Sequence, residues 1–353
     1  MPSTSAFAAV LRGYRAQLGF TQEELAERSG LSVRAIRNLE VGRTVMPQRQ
    51  SVRLLAAALR LAAADHATLL AAARTFPGGR CELPPDVPEL LGRADDVAAL
   101  VRLLTTSGFA AVSGGPGTGR TALAVHVAHR VRDRFPDGQV FADLDGTPSV
   151  LGRVLRSLNA SVPVSRDERA ALVRARLTAQ RVLVVLDNVA SEAQVRPLLT
   201  TGARSAVLVT SRRDLVALPG APSVRLGPLD RGAARRMVPR GEPEAVDAVI
   251  EACARLPLAL HIAAMWLVAR PHRSVADLAA LLAHDSLGTL VVADLSMRAS
   301  IAAHVRELRL DEGRLTGPDA LDRLVQANLH DDTHGMNRLV RQYLRHADPN
   351  AGI

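Results

Sequence analysis

The sequence contains no lysine, so every one of its 44 basic residues is an arginine. This looks like the coding bias of a high-GC genome. Arginine keeps the positive charge of lysine but is planar and wider, so it does not simply replace lysine where a phosphate site is tight. Wherever an anion-binding site in this chain uses a permanently charged side chain, that side chain is therefore a guanidinium.

Cysteines and aromatic residues are also scarce. The two cysteines, Cys81 and Cys253, form neither a disulfide framework nor a metal-binding pattern, and they fit a reducing cytoplasm. Aromatic residues make up 3% of the chain, so its cores must be built from aliphatic side chains. The most apolar window, residues 252–269, is interrupted by an arginine, a proline and a histidine and predicts a buried helix. We therefore expect a cytoplasmic protein with neither a signal peptide nor a membrane span.

What the sequence does have is apolar residues and positive charge. Its 353 residues are 48% hydrophobic, which is ample for two or three domains with real cores. The formal net charge is +9, and residues 1–80 hold eleven arginines against only five acidic residues. We expect this N-terminal segment to carry the surface that binds a polyanion.

The N-terminal segment carries helix signals separated by short turns. Thr21 as N-cap and Glu24 three residues later form a capping box for a helix that ends near Gly30. A third helix, SVRAIRNLE, follows at once, with Ile36 and Leu39 on its apolar face. Two short helices around a glycine turn are typical of a helix-turn-helix.

The opposite face of this third helix presents Val33, Arg34, Arg37 and Asn38. These side chains are of the types that read DNA: arginine matches the guanine edge, asparagine the adenine edge, and an apolar side chain the thymine methyl group. From composition alone, a solvated basic face on an ordinary helical bundle explains the same pattern.

Residues 19–43, GFTQEELAERSGLSVRAIRNLEVGR, resemble the phage-repressor (XRE-type) helix-turn-helix family over nearly their whole length. The resemblance implies binding to a double-stranded DNA operator, with the four outward-facing residues of the third helix turned toward bases. It also implies that Gln22 and Arg43 contact phosphates or flank the groove. Proteins of this type usually bind as pairs on two half-sites, so we expect a homo-oligomer.

Residues 109–121, FAAVSGGPGTGRT, predict a buried strand, a glycine-rich loop and the start of a helix. Glycines let backbone N–H groups converge on an anion, and the helix N-terminus adds its unpaired donors. The phosphate-loop (P-loop) pattern G-x-x-x-x-G-K-[S/T] is matched except that arginine replaces the lysine. The alternative is a plain strand-turn-helix whose glycines serve only the turn. The predicted nucleotide-binding residues of this loop are Gly114, Gly115, Gly117, Thr118, Gly119, Arg120 and Thr121.

A second hydrophobic strand, residues 182–186, ends in Asp187. A carboxylate at the tip of a parallel strand beside a P-loop is where Mg²⁺ needs a partner, and the hydroxyl of Thr121 is the second expected ligand. Asn188 follows Asp187, so no adjacent second carboxylate polarises a water. We expect slow ATP hydrolysis or none, so the chain is at most a slow ATPase.

Hydrophobic segments in this part of the chain alternate with helical ones, which predicts a parallel sheet covered on both faces. Ligands bind such sheets at the carboxyl ends of the strands, where the glycine loop, Asp187 and residues 210–212 fall. The predicted strands are residues 109–112, 140–144, 182–186 and 206–210.

Six blocks occur in the order LLGRADDVAAL, SGGPGTGRTALAVHVAHRV, FPDGQVFADLDG, RVLVVLDNVASEAQVRPLL, AVLVTSRR and RLPLAL. This order resembles the NB-ARC branch of the STAND nucleotide switches, which implies ATP or ADP with Mg²⁺ as ligands. It also implies that Arg212 senses the terminal phosphate and that Pro257 lies beside the adenine, although Arg255 stands where the family has a glycine. An arginine that merely ends a strand and a proline that kinks a helix are the alternatives.

We therefore predict a multidomain protein. An all-α helix-turn-helix domain (1–76) and a linker (77–89) precede an α/β P-loop domain with a parallel sheet (90–228), a helical subdomain (229–285) and a shortened, degenerate winged-helix region (286–353). The family's His-Asp latch on the diphosphate form corresponds to residues 336–338, where Met, Asn and Arg stand, so the latch is missing or altered. The tail either only packs against the sheet domain or makes a second DNA contact.

The two resemblances imply a cytoplasmic DNA-binding transcriptional regulator whose P-loop module acts as an ATP/ADP switch. Relatives with this organisation commonly regulate secondary-metabolite clusters in filamentous soil bacteria. A second hypothesis, an ATPase motor, is opposed by Asn188 and by Arg120 in the lysine position. The third is a DNA-binding protein whose NB-ARC part persists as a nucleotide-free scaffold. Three departures from the family, Arg120, Arg255 and the altered latch, favour this third hypothesis for the NB-ARC-like part and leave DNA binding unaffected.

Overall fold

The computed structural model describes residues 6–41, 49–62, 64–66, 68–69, 81–145, 149–199, 204–218, 222–307, 324–325, 328–331 and 335–347. Their elements follow the predicted order of an all-α part, a parallel-sheet part and a helical part. The predicted multidomain fold class is confirmed.

The all-α part contains α1 (Ala6–Gln17), α2 (Gln22–Ser29), α3 (Val33–Glu40) and α4 (Arg49–Ala58). The resemblance to the XRE-type family also implies two further helices, near residues 50–62 and 65–74. The first is α4, whereas most of the second lies outside the described residues. These helices share a small hydrophobic core. Each helix contributes residues to it, and so does the segment that follows α4. The fully buried members are Leu11, Leu25, Ile36, Leu55 and Leu69.

Local sequence signals explain where α2 and α3 begin and end. Thr21 and Glu24 form the predicted capping box, and Gly30 ends α2 with a left-handed φ of 68°. Ser32 is the N-cap of α3, and its hydroxyl accepts a hydrogen bond from the backbone of Ala35 at 3.2 Å. The two caps fix the short turn between these helices.

The central part is a five-stranded parallel sheet in the order β2-β3-β4-β1-β5. The strands are β1 (Phe109–Gly114), β2 (Gly138–Asp143), β3 (Val182–Val189), β4 (Ala206–Ser211) and β5 (Ser223–Leu226). All four predicted strands are present. They could be predicted because buried parallel strands are nearly continuous apolar runs in the sequence. The fifth, β5, was not predicted from the sequence.

Helices cover both faces of this sheet, as predicted. On one face α5 (Ala94–Thr106) and α6 (Arg120–Val131) pack on the side chains of Leu183 and Val185. On the other face α7 (Val150–Ser157) and α8 (Arg166–Ala179) pack on Val182, Val184 and Leu186. The period of two along β3 therefore divides one strand between two cores. The short helix α9 (Glu192–Val195) and two 3₁₀ turns (Arg132–Arg134 and Arg196–Leu198) complete this part.

The C-terminal part is mainly helical. It contains α10 (Arg231–Met237), α11 (Pro243–Ala252), α12 (Pro257–Val268), α13 (Val275–His284), α14 (Ser286–Thr289), α15 (Met297–Glu307) and α16 (Arg338–Ala347). Two small hairpins pair β6 (Val291–Val292) with β7 (Leu295–Ser296) and β8 (His330–Asp331) with β9 (Gly335–Met336). One hydrophobic cluster runs from Leu229 to Leu344, so residues 229–285 and the described residues after them share a core.

The buried helix predicted over residues 252–269 is present, but it starts five residues later than the window and is a separate helix from the one before it. α11 ends at Ala252, and α12 begins at Pro257, which takes the first helical position. Ala254 and Arg255 between them have left-handed φ values of 51° and 55°. Pro257 therefore opens a helix instead of kinking one, because its fixed φ suits the first turn and its missing N–H is not needed there.

A strap of residues 81–89 lies on the sheet part, just before α5. The backbone N–H of Glu82 donates to the carbonyl of Gln139 at 2.8 Å, which ties the strap to β2. Two histidines of α6 hold its middle: His126 Nδ1 lies 3.0 Å from Asp86 Oδ1, and His129 Nε2 lies 2.8 Å from the carbonyl oxygen of Pro84. The helix that follows the P-loop is thus bonded to the chain leaving the N-terminal part.

Within the described segments, every helix is too short or too polar to cross a lipid bilayer.

Candidate functional site

The glycine-rich loop joins the end of β1 to the start of α6. Gly119 is the N-cap of α6 and has a φ of 89°, a conformation that a side chain would strain. Thr118 stabilises the turn, since its Oγ1 donates to the carbonyl of Gly115 at 2.9 Å. The predicted strand, loop and helix are therefore all present, with the N-terminus of a twelve-residue helix at the loop's end.

The remaining loop glycines are packed closely by other parts of the chain. A Cβ on Gly114 would lie 2.7 Å from the carbonyl oxygen of Leu226, and one on Gly115 would lie 2.7 Å from that of Asn328. A Cβ on Gly117 would lie 3.1 Å from the methyl carbon of Met297. The loop is thus wedged between the sheet and the C-terminal part, where only glycine fits.

Arg120, in the lysine position, turns back onto the loop. Its guanidinium donates to the carbonyl oxygens of Gly114 and Gly115, the second at 2.6 Å. Both bonds come from one terminal nitrogen, Nη1, whose two hydrogens can each meet a carbonyl oxygen. The loop's own backbone therefore occupies a nitrogen that would otherwise face a phosphate.

Thr121 and Asp187 meet as the sequence predicted. The hydroxyl of Thr121 lies 3.0 and 2.9 Å from the two carboxylate oxygens of Asp187. Thr210, at the end of β4, also donates to Asp187. The carboxylate is only 4% exposed, so its environment is the hydroxyls rather than bulk water.

The environment of Asp187 changes its acidity. Burial raises the pKa of its carboxyl group, and this effect is partly offset by the hydrogen bonds from Thr210 and Thr121. The nearby charge of Asp143 also raises the pKa, and that of Arg120 lowers it. A divalent cation would stabilise the ionised form against the burial.

Asp143 was missed in the sequence and lies beside this site. It ends β2 in register with Asp187 at the end of β3. Asn188 joins the two strand ends: its Nδ2 donates to Asp143 Oδ1 at 3.0 Å and approaches Asp187 Oδ2 at 3.5 Å. A second carboxylate is thus supplied by the neighbouring strand and not by the next residue. The only sequence signal for it was an acidic residue at the carboxyl end of a predicted strand.

Arg93 was also missed, although it belongs to the LLGR block. It is 8% exposed, and its Nη2 donates to the carbonyl oxygens of Thr118 at 3.2 Å and Gly227 at 2.6 Å. Its Nη1 lies 3.4 Å from Asp96. Burial lowers the pKa of Arg93, and the charge of Asp96 partly restores it. Arg93 therefore braces the P-loop against the end of β5.

Arg212 lies just beyond β4 and contacts the C-terminal part. Its Nη2 lies 3.6 Å from Asp145 Oδ2, and its Nη1 donates to the carbonyl of Ala303 on α15 at 3.3 Å. Its own carbonyl accepts from Asn328 Nδ2 at 3.2 Å. This arginine joins the sheet edge to two elements of the C-terminal part, and its role as a phosphate sensor stays a prediction.

Pro257 lies beside the loop. A Cβ added to Gly119 would be 3.9 Å from the Cβ of Pro257, and the N–H of Leu258 donates to the carbonyl of Gly117 at 3.1 Å. The first turn of α12 thus closes one side of the P-loop. Its contact with adenine stays a prediction.

A cavity of about 400 Å³ lies next to the loop. Its lining includes Gly115, Pro116 and Thr118 of the loop and also residues 336–338, at the position of the family's latch. Met336 is buried in the shared core, whereas Arg338 is exposed. The segment expected to carry a latch therefore borders the same cavity as the P-loop, with a cation at its last position.

The residues fit a magnesium nucleotide with one reservation. Glycine-loop backbone groups and the α6 N-terminus would hold phosphates, and Thr121 with Asp187 would hold Mg²⁺, which takes oxygen ligands. The described residues contain no group of three or more acidic, histidine or cysteine ligands, so any Mg²⁺ here relies on phosphate oxygens as well. The reservation is Arg120, which must leave the carbonyls of Gly114 and Gly115 before it can contact a phosphate.

The predicted DNA-reading face is on α3. Ile36 and Leu39 are buried as expected, Arg34 and Arg37 are exposed, and Val33 and Asn38 are half-buried. Neither arginine has a side-chain partner among the described residues. Arg43 lies outside the described residues, so the prediction for it stands as made.

Gln22 is part of a network beneath this face. Its Nε2 donates to Glu40 Oε2 at 2.7 Å, and Glu40 is only 2% exposed. Arg15 bonds the same carboxylate through two nitrogens, at 2.6 and 3.0 Å, and donates to the carbonyl of Phe20 at 2.6 Å. The network joins α1, α2 and α3, so one function of Gln22 is to hold α3 in place, and its contact with phosphates stays a prediction.

Comparisons with known proteins agree with both parts. A helix-turn-helix family model matches residues 11–65. The fold is similar to a Walker-type ATPase of Pyrococcus abyssi, with a TM-score of 0.54 and 11% identity over 75% of this chain and 99% of that one. The chain therefore combines an N-terminal segment that matches a helix-turn-helix family with a fold similar to that of a Walker-type ATPase.

Two regulatory relatives are more similar in sequence. The chain is 39% identical to the regulatory protein AfsR of Streptomyces griseus over 72% of its length, and 38% identical to AfsR of Streptomyces coelicolor over 68%. It spans only 29% and 27% of the lengths of those proteins. The likeness thus covers a module of a larger regulator.

Proposed function

We propose that this protein is a cytoplasmic transcriptional regulator that binds a double-stranded DNA operator through α3 and is controlled by ATP or ADP at the P-loop. The observation that carries the proposal is the presence, in one chain, of a helix-turn-helix and a glycine loop beside the Thr121–Asp187 pair. The likeness to AfsR regulators supports a regulatory role. Control of a secondary-metabolite cluster is part of the proposal, on the resemblance alone.

In this proposal the α3 residues Arg34, Arg37, Asn38 and Val33 read base edges, and α2 with its flanking loops contacts phosphates. Their exposure on one helix face supports this assignment. A helix-turn-helix reads two half-sites as a pair, so a homodimer on DNA is part of the proposal.

The nucleotide's phosphates bind the backbone of the glycine loop, with Thr121 and Asp187 as the Mg²⁺ ligands. The bound Mg²⁺ would neutralise phosphate charge. In this chain Arg93 braces the loop, Arg212 joins β4 to α15, and Pro257 closes one side. These contacts support a site that responds to the nucleotide by changing how the C-terminal part packs on the sheet.

Binding can shift the protein between two states only if the nucleotide has different affinities for them. The strap offers a physical connection, because α6 begins at the P-loop and its two histidines bind residues 84 and 86. A movement of α6 would therefore pull on the segment that leads to the DNA-binding part. Slow hydrolysis resets the switch.

The second candidate is a DNA-binding protein with a nucleotide-free scaffold. The contacts of Arg120 with Gly114 and Gly115 favour this candidate, because the guanidinium donates to the loop's own carbonyl oxygens instead of to a phosphate. An ATPase motor is the weakest candidate, since Asn188 provides no adjacent carboxylate. Asp143 lies close by but is bridged to the site by an amide.

The deciding experiment is to denature the purified protein, identify any released nucleotide by chromatography, and titrate ATP and ADP into the stripped protein by calorimetry. Tight binding with little turnover is expected. Operator binding is then measured with each nucleotide. If no nucleotide is released and no heat is measured at millimolar ATP or ADP, the switch is refuted and the second candidate, a DNA-binding protein with a nucleotide-free scaffold, replaces it.

Arg120→Lys is the matched variant for this experiment. A lysine ammonium is a compact point charge on a flexible stem and is the group that the phosphate-loop pattern has here, so it can turn toward a phosphate more readily than the planar guanidinium. If Arg120 restrains the loop, the variant binds ADP more tightly than the unmodified protein. If both proteins fail to bind, the defect lies elsewhere in the loop and the switch is refuted.

A further inference from the structure

The helix α16 is divided into an apolar face and a basic face. Its apolar side chains are buried in the C-terminal core, and the helix contains no acidic residue. Three exposed arginines, Arg338, Arg341 and Arg345, follow one another at a spacing of three and four residues. Residues at this spacing share one side of a helix, so the three form an arginine stripe about 10 Å long.

A groove of about 390 Å³ runs beside the arginine stripe, between α16 and the junction of α13 with α14. No acidic residue is found among the described residues that line it, which are Ala283, Ser286, Arg338, Arg341, Gln342, Arg345 and His346. Arg338 and Arg341 also border the cavity beside the P-loop, whereas Arg345 and His346 border only the groove. The groove therefore extends beyond the proposed nucleotide site.

The charge of this face differs from that of other arginine-bearing helices in the C-terminal part. On α10, Arg231 is paired with Glu251 of α11 at 2.8 Å, so the exposed surface there carries both signs. Arg338 and Arg341 form no ion pair or side-chain hydrogen bond within the part of the chain that the structure describes. A surface of one sign attracts ligands of the opposite sign, so the face of α16 suits an anion.

The shape of the stripe indicates which anion fits. Along its axis each strand of duplex DNA carries one phosphate per 3.4 Å, so a stripe of about 10 Å matches roughly three successive phosphates, whereas a single small anion would engage only part of it. Guanidinium forks pair well with phosphate oxygens. An anionic membrane fits less well, because a helix that lies on a membrane inserts its apolar face. On α16 that face, with Leu339, Val340 and Leu344, is already buried.

We propose that the arginine stripe of α16 contacts the phosphate backbone of duplex DNA, as a second contact in addition to the one through α3. The choice of duplex DNA as the partner rests on the proposed function of α3. Once α3 is bound, the second contact is intramolecular, so it raises the overall affinity without adding any base recognition.

The test measures binding of the full chain to a fluorescently labelled mixed-sequence duplex of about 40 base pairs, by anisotropy over a series of salt concentrations. A double variant, Arg341→Gln with Arg345→Gln, removes two cations of the stripe. Each lost phosphate contact should make the slope of log K against log salt shallower by about 0.9 and weaken binding roughly fivefold to tenfold at about 0.1 M salt. Base preference in a binding array should not change, because phosphate contacts carry no sequence information.

Two further double variants separate a site from a general effect of charge. Arg341→Lys with Arg345→Lys keeps both charges and should retain the salt slope, since lysine also binds phosphate. Arg174→Gln with Arg298→Gln removes two exposed arginines from α8 and α15 and should leave the slope unchanged. Equal losses in the control pair and the stripe pair, or no loss in the stripe pair, would overturn the proposal.

The outcome is separable from that of the proposed α3 contact when the titrations are repeated in Arg34→Ala with Arg37→Ala. If α3 does not bind DNA, this background leaves the affinity unchanged, and the stripe variant still weakens binding. If only the α3 variant weakens binding, the stripe is refuted and the α3 contact stands. Binding of duplex RNA of the same length that requires the stripe, with DNA binding unaltered, would assign the stripe to RNA and refute the DNA contact.

Discussion

At the scale of single residues, Arg34 is the side chain on which the DNA-binding proposal is most open to test. It is exposed on the outward face of α3, beside the half-buried Val33. Replacing Arg34 with alanine should relax discrimination at one base position by ~1–3 kcal/mol, because one bidentate contact to a guanine edge is lost. A binding array over all single-base variants of the operator measures this directly.

Arg53 on α4 provides the control for Arg34. It is exposed and carries the same charge, but it lies on a helix that is not expected to enter the groove. Arg53→Ala should at most weaken all sequences alike, because a lost phosphate contact carries no base information. An unchanged sequence preference in Arg34→Ala would count against α3 as the reading helix.

Asp187 is the residue that decides whether Mg²⁺ takes part. Its carboxylate is held by two threonine hydroxyls, and burial raises its pKa, so a cation has an ionisable partner already in position. Nucleotide affinity should be at least about tenfold higher with Mg²⁺ than without it, and Asp187→Ala should remove the difference. Equal affinity under both conditions in the unmodified protein would take away the basis of the assignment.

Asp143→Asn is a useful companion to Asp187→Ala. Asp143 lies in register with Asp187 and bonds Asn188, but it is exposed and only indirectly connected to Thr121. If Asp187 alone holds the cation, the Mg²⁺ dependence survives in Asp143→Asn. A loss in both variants would mean that the two strand ends share the cation.

At the scale of elements, the reactivity of Cys253 measures how often the turn between α11 and α12 opens, and Cys81 serves as the exposed reference thiol. Cys253 is fully buried at the end of α11, and burial raises its pKa to about 12. At pH 8 roughly one such thiol in ten thousand is ionised, whereas the exposed Cys81 reacts freely. We expect one fast thiol per chain in a labelling reaction on the native protein, and two after denaturation.

Cys81→Ser identifies the fast thiol, since this variant should show none before denaturation. Two fast thiols in the native protein would mean that the turn carrying Arg255 opens readily. Labelling in the presence of Mg-ADP then shows whether that ligand closes it.

The elements also show what sequence reasoning can and cannot reach. The four long strands were predictable because each is a continuous apolar run, and α2 because its caps are local. β5 was missed because it has four residues, of which Ser223 and Arg225 are exposed, so it differs little from a loop. The break after Ala252 was missed because its left-handed residues are Ala254 and Arg255, which carry no glycine signal.

The candidate site divides along the same line. Thr121 and Asp187 were found because each belongs to a local pattern, and the parallel sheet brings such strand ends together. Asp143 depends on the register between β2 and β3, and Arg93 on a contact with Gly227, 134 residues away. Pairings of this kind follow from tertiary packing, which a single sequence does not specify.

At the scale of the whole molecule, the sheet cores and the C-terminal core are in contact with each other, whereas the N-terminal core is separate. The N-terminal core is built only from residues between 7 and 69. The sheet cores and the C-terminal core meet at the P-loop, where Leu258 donates to Gly117 and Asn328 donates to Arg212. Cooperative unfolding follows shared packing, so the sheet and C-terminal parts should unfold together and the N-terminal part by itself.

Calorimetric scans should therefore show two transitions that respond to different ligands. Mg-ADP at about one hundred times its Kd should stabilise the larger unit by roughly 2.7 kcal/mol, while operator DNA should raise chiefly the smaller transition; any shift that a ligand causes in the other unit measures the coupling that the proposed switch requires. Each ligand stabilises the unit that holds its site, because only binding to the folded form shifts the equilibrium.

If Mg-ADP also moves the DNA-binding transition, the strap held by His126 and His129 transmits the signal. His126→Ala should then uncouple the two transitions while leaving ADP affinity unchanged, and a single merged transition would refute independent units.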